Sequence, residues 1–144
     1  MYEQLHWANQ RILHTLQLRD NENLESYRLF SHILLTEKVW MTRLQGLDYS
    51  HIPLWSDSDL EVCERLVHEN EKSYTDYLNR QAYLDLDLAI SYTNSKGIKF
   101  TNTIRDILTH VALHGQYHRG QINQQLRMEN SQPVNVDYIT FVRE

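Results

Sequence analysis

The sequence predicts an all-α fold: a four-helix bundle with a small β-hairpin between the third and fourth helices. Three observations carry this. Only 4 Gly and 2 Pro occur in 144 residues, so most of the chain lacks the residues that interrupt helices. Four stretches repeat apolar residues every three or four positions, the spacing that buries one helix face. A single segment alternates with period two and runs into Asn94-Ser95-Lys96-Gly97, a tight reversal.

The first helix is expected over about residues 2–18, with Leu5, Ala8, Ile12, Leu13 and Leu16 on one side, ending at Arg19-Asp20-Asn21. The second runs from Leu24 to Gln45, with Gly46 as its C-terminal stop. It is apolar around much of its circumference, through Tyr27, Phe30, Ile33, Leu34, Leu35, Trp40, Met41 and Leu44, and should be deeply buried. His51-Ile52-Pro53 reads as loop. Ser58 and Glu61 offer a capping box for the third helix, whose seam is Leu60, Cys63, Val67, Asn70, Tyr74 and Tyr77. Cys63 is therefore expected as a core filler. Tyr83 to Thr93, the reversal and Ile98-Lys99-Phe100 form the hairpin. The fourth helix spans about Asn102 to Met128, capped by Thr101 or Thr103, with Ile104, Leu108, Val111, Gly115, His118, Ile122 and Leu126 on its core stripe. Gln132-Pro133 ends it, and a short tail follows. Neither repeat nor linker divides the chain, so residues 1–144 are expected to be a single domain.

Composition narrows the function. A net charge of −5, with scattered Lys and Arg, leaves no basic stripe for nucleic acid. No apolar run approaches membrane-spanning length and the N-terminus lacks a secretory pattern, so a cytoplasmic address without membrane attachment is expected. One cysteine forms no internal disulfide. H-E-x-x-H, C-x-x-C, P-loop, G-x-G-x-x-G and G-x-S-x-G motifs are all missing.

Eight histidines are the unusual feature, and three stand four residues apart in the fourth helix: His110, His114 and His118. Imidazoles at i and i+4 lie one turn apart on one face and can reach the same ion at about 2.0–2.1 Å. Positions i and i+8 are about 12 Å apart along the axis, so all three cannot share one ion. Spacing leaves His110/His114 and His114/His118 open; the second pair is preferred because His118 falls on the apolar seam, where an unpaired imidazole is costly. The best third ligand is His32, a polar ring in the middle of the very apolar second helix. His6, His14, His51 and His68 are expected to be exposed and without function.

Three neutral imidazoles without a thiolate suit Zn or Ni first, with Fe or Co as further options, and leave a position for water or substrate. Di-iron chemistry does not fit, because Glu129 is the one glutamate near the fourth helix. Glu37, Asn9, His110 and Tyr117 are candidate orienting partners. Arg119 suits either an anionic substrate or a carboxylate on a neighbouring helix.

These residues carry a family resemblance. Trp7-Ala8-Asn9, His32 with Glu37 and Trp40, Tyr92 through Gly97, and above all His110 through Ile122 resemble the DinB family of bacterial four-helix bundles, a group that takes in the YfiT-like proteins, regarded as metal-dependent enzymes. The likeness spans nearly the whole chain. It implies a divalent metal held by one histidine of the second helix and the H-x3-H pair of the last, here His32, His114 and His118. Relatives in the wider superfamily include thiol-dependent transferases and isomerases, which implies a small-molecule substrate, a low-molecular-weight thiol and a metal-activated thiolate. Homodimers among relatives imply a homodimer here, for which exposed Tyr and Trp would supply the interface. A metal-dependent hydrolase, or a non-catalytic stress-response protein with a structural metal, are the alternatives.

Overall fold

The computed structural model describes residues 1–20, 22–80 and 85–144. Helices α1 (Tyr2–Gln17), α2 (Leu24–Leu44), α3 (Leu60–Arg80) and α4 (Ile104–Met128) form the bundle, strands β1 (Ala89–Thr93) and β2 (Lys99–Thr103) the hairpin, and a short α5 (Tyr138–Arg143) follows. α2 packs between α3 and α4, and α1 closes the ring between the same two helices. The core is therefore shared by all four, from Ala8, Ile12 and Leu16 across Phe30, Ile33 and Leu34 to Cys63, Val67, Ile122 and Leu126.

Local chemistry sets the helix ends. Asn23 caps α2 by accepting from the Ser26 amide at 2.8 Å. At the far end Gly46 takes φ +70°, so its N–H reaches the Arg43 carbonyl and that of Leu47 the Thr42 carbonyl, both at 3.0 Å. Thr103 caps α4 through the Asp106 amide. The expected Ser58–Glu61 box does not form. Asp59, one residue on, accepts from the Val62 amide at 2.9 Å, and a carboxylate there also meets the positive end of the helix dipole. Ser58 instead accepts from the Ser31 hydroxyl.

The hairpin is antiparallel with Tyr92 opposite Phe100, and Gly97 at φ +77° closes its turn. Two boundaries differ from the sequence reading. Asp85 to Leu88 form a turn, closed by Leu88 N–H on the Asp85 carbonyl, and not strand; Tyr83 and Leu84 lie outside the described residues, as does Asn21 at the end of the first helix. β2 continues to Thr103, so α4 begins at Ile104, where the Ile104 and Arg105 amides donate to the carbonyls of Leu88 and Leu86.

Two further expectations are corrected, the stop of α4 and its buried stripe, and the tail takes on structure that the sequence left open. α4 ends at Met128 as expected, but the stop comes from Asn130, at φ +58°, and not from Gln132-Pro133. The tail is structured: Val134 and Val136 are buried, Asn123 bonds both backbone groups of Val134, Gln4 donates to the Val136 carbonyl, and Phe141 of α5 packs on Trp7. On α4 the buried stripe passes through Arg119 rather than His118. Gly115, one turn earlier, makes room for this, since a Cβ there would sit 3.0 Å from the Arg119 guanidinium. No helix among the described residues is long and apolar enough to cross a membrane.

Candidate metal centre

α2 and α4 pack side by side, which brings His32 against His114 and His118. The Nε2 atoms of His32 and His118 each lie 3.1 Å from His114 Nε2, and one ligand nitrogen from each ring falls within 4.8 Å of the others. Tetrahedral coordination at 2.0–2.1 Å sets ligand nitrogens about 3.3–3.4 Å apart, so little movement is needed for the rings to hold an ion.

The protons say more than the distances. His32 Nδ1 is 2.7 Å from the Leu54 carbonyl, which only accepts, so this nitrogen carries the proton and Nε2 presents a lone pair. His118 Nδ1 donates in the same way to Gln121 Oε1 at 2.6 Å. His114 has one Nε2 proton at most and can satisfy only one of the two neighbouring lone pairs. Converging lone pairs repel; a cation between them turns repulsion into coordination. Burial first, then the other histidines and Arg119, pushes the His114 pKa down to about 3, and burial also lowers that of His32. Both rings are thus neutral, the form a metal ion requires.

Trp55 completes the wall, its indole stacked on His32 with centroids 3.7 Å apart and planes 2° off parallel. Mean apolar patterning gives no hint of this residue, which comes from the loop between α2 and α3. A backbone carbonyl such as that of Leu54 carries no sequence signature at all. Gln121, three residues after His118 on the same face, is the partner that helical spacing was able to reveal.

The three-histidine cluster could therefore hold a divalent ion. A DinB family model matches residues 1–144. The chain belongs to the DinB family. It is also 28% identical to protein DinB of Bacillus subtilis (strain 168) over an alignment of 155 positions that covers 96% of this chain and 89% of that protein.

The other sequence candidates fall differently around this DinB-family site. His110 lies 5.6 Å from His114, ring to ring, but packs on Trp40 and stays outside the convergent cluster. Partial burial and then the Arg43 charge lower its pKa. None of the proposed orienting partners contacts a ligand Nδ1: Tyr117 is mostly exposed, with its ring against His118, while Asn9 and Glu37 bond each other in the core. Arg119 donates to Asn9 Oδ1 at 2.8 Å, a buried interaction toward the neighbouring carboxylate rather than a solvent-facing anion site. His14, His51 and His68 are exposed as expected, but His6 is not. It is buried beside Tyr74 because the apolar face of α1 is wider than one stripe, with Leu13 on the same edge. Cys63 is fully buried and its thiol is pushed up to about 12 by desolvation, so it supplies no nucleophile.

Removing the Gln121 side chain tests the proton argument. Gln121→Ala frees the His118 ring and is expected to weaken divalent-metal affinity by about 10–100-fold, measured by competition with a chromophoric chelator. Unchanged affinity would mean that the 2.6 Å contact does not set the His118 tautomer.

Proposed function

We propose that this DinB-family protein is a metal-dependent enzyme whose ion, Zn or Ni by ligand preference, is held by His32, His114 and His118, and that its chemistry is transfer involving a low-molecular-weight thiol. The observation that carries the reading is the set of three Nε2 atoms facing one another while two of the rings are tied down through Nδ1. Three protein ligands are the pattern of a site that keeps a position for an exchangeable ligand. A bound divalent ion supplies Lewis acidity, which lowers the pKa of a thiol or water brought to it.

The chain's own residues favour the thiol over water. Among the described residues no carboxylate joins the histidine cluster, and Glu37 is sealed in the core against Asn9. Water is a far weaker acid than a thiol, whose pKa is near 8.5, and benefits more from a nearby general base. In the proposed reaction the thiol proton passes to solvent. Sulfur then bonds to an electrophilic carbon as that carbon's bond to its leaving group breaks, and the leaving group departs with the electron pair. His32, Trp55 and Leu54 keep the histidine face rigid throughout, because stacking and the carbonyl bond fix the ring in plane.

Cobalt substitution tests this. Addition of a small thiol such as 2-mercaptoethanol to the cobalt-loaded protein is expected to produce a sulfur-to-metal absorption band in the near ultraviolet. A cobalt spectrum that no thiol perturbs, together with a metal that only raises the melting temperature, would replace the enzyme with a metal-stapled bundle.

A further inference from the structure

Beside the histidine cluster lies a cavity of about 770 Å³, walled by Val39 and Arg43 of α2, the loop residues Tyr49, Ile52, Leu54 and Trp55, and the hairpin turn. It shares a wall with the proposed metal centre, since Leu54 bonds His32 and Trp55 stacks on it. Val39, Tyr49, Ile52, Leu54 and Trp55 give it an apolar and aromatic face, the hairpin turn and Ser50 add polar groups, Asp48 is its one carboxylate, and Arg43 is its one cationic residue.

Its guanidinium carbon sits 4.4 Å from the ring centre of Trp40, 4.5 Å from that of Tyr49 and 4.7 Å from that of Tyr92. Rings from α2, the loop and β1 thus collar one cation. Tyr49 is itself locked in place, its hydroxyl donating to the Thr93 carbonyl and accepting from the Thr93 amide. The in-plane N–H edges of a guanidinium are what bind a carboxylate in bidentate fashion. On Arg43 they are not engaged by a counter-charge: among the described residues no carboxylate lies within 4.0 Å of it. Asp48 lines the same cavity, but its side chain is turned to the Ser50 amide at 2.9 Å. Arg43 is half-buried, and a cation held in place by three rings with no paired carboxylate is set to take an anion that enters the cavity.

We propose that this cavity is an organic-acid subsite: a carboxylate or similar anionic group docks on Arg43 while the apolar body lies along Ile52, Leu54 and Trp55, pointing the other end toward the histidines. Its role as the substrate-binding part of the site rests on the enzyme reading above; its anion binding does not. The cavity volume accommodates a molecule of one or two aromatic rings with a charged group.

The test uses two fluorescent probes with similar rings, the anion 8-anilinonaphthalene-1-sulfonate and the uncharged N-phenyl-1-naphthylamine. Wild type is expected to bind the sulfonate about tenfold more tightly, a preference that Arg43→Gln abolishes and Arg43→Lys retains in part. Circular dichroism checks that both variants are folded. A readout that needs no variant is competition: 3-phenylpropionate should displace the sulfonate probe and 3-phenylpropionamide should not, with the Trp55 indole N–H resonance shifting on binding. Equal affinity for the two probes, displacement by acid and amide alike, or a preference that survives Arg43→Gln would overturn the subsite. Running the same titrations on metal-free protein separates the two readings. An Arg43-dependent preference in a protein that never takes up metal would overturn the metal centre and support the subsite.

Discussion

His114→Ala will abolish stoichiometric metal binding, where wild-type protein purified without an affinity tag and reconstituted carries about one equivalent of divalent ion per chain. His114 is the central member of the cluster, its Nε2 at 3.1 Å from both partners, so its loss leaves two nitrogens that no longer converge through a shared neighbour. Loss of a supporting partner alone costs 10–100-fold in affinity, and loss of a direct ligand should exceed the upper end, more than about 100-fold. The comparison with its neighbours makes the result specific. His118→Ala should behave like His114→Ala, whereas His110→Ala should keep its metal, because the His110 ring packs on Trp40 and lies outside the cluster. Loss of metal from His110→Ala with metal retained by His118→Ala would show that the ion uses the other i,i+4 pair. Metal should also raise stability by about 2.7 kcal/mol at a free concentration one hundred times Kd, an increment absent from His114→Ala. A wild type that takes up no Zn, Ni or Co after reconstitution would leave the three histidines as a packing arrangement.

How much of this was legible beforehand depended on whether physics writes itself into residue type. A chain poor in Gly and Pro, apolar periodicity, a turn sequence and histidines at four-residue steps are properties of the string, and the bundle, the hairpin turn and the His32, His114, His118 trio follow from them. Backbone donors and acceptors are not. The Leu54 carbonyl that fixes the His32 proton was invisible for that reason, and Trp55 was hidden in a stretch without periodicity. The α4 seam slipped by one residue because hydropathy counts arginine as surface; only the space at Gly115 and a polar acceptor on α1 make Arg119 a core residue. The tail's packing leaves no pattern in the sequence because Val134 and Val136 are too few to show a period, although Asn123 and Gln4 hold their backbone firmly.

That buried arginine underlies the second large effect: Arg119→Met should destabilise the metal-free protein by about 3–5 kcal/mol, on the order of 10 °C in Tm. Arg119 is 1% exposed and Glu37 2%, and Asn9 stands between them, accepting from the guanidinium at 2.8 Å and donating to both carboxylate oxygens at 2.9 and 3.0 Å. Three helices are thereby joined through one charge relay, and Met leaves Asn9 without its donor and Glu37 without its opposite charge. The loss should depend on pH. Burial raises the Glu37 pKa to about 7 against the opposing influence of Arg119, so in the folded state Glu37 binds its proton more tightly than the unfolded chain does. A raised folded-state pKa contributes stability that is fully present below the unfolded value near 4.5 and is lost as pH rises through about 7. Removing Arg119 raises that pKa further. The cost of Arg119→Met should therefore be small at pH 5, where Glu37 is protonated, and greatest at pH 8, where the carboxylate must ionise without a partner. Adding Glu37→Leu to Arg119→Met removes the stranded carboxylate and should recover at least half the stability lost at pH 8, since replacing a whole buried pair is far milder than breaking it. Urea unfolding in EDTA at the two pH values measures all of this. An equal penalty at pH 5 and pH 8 would mean that Arg119 acts by packing alone and that Glu37 does not depend on its charge.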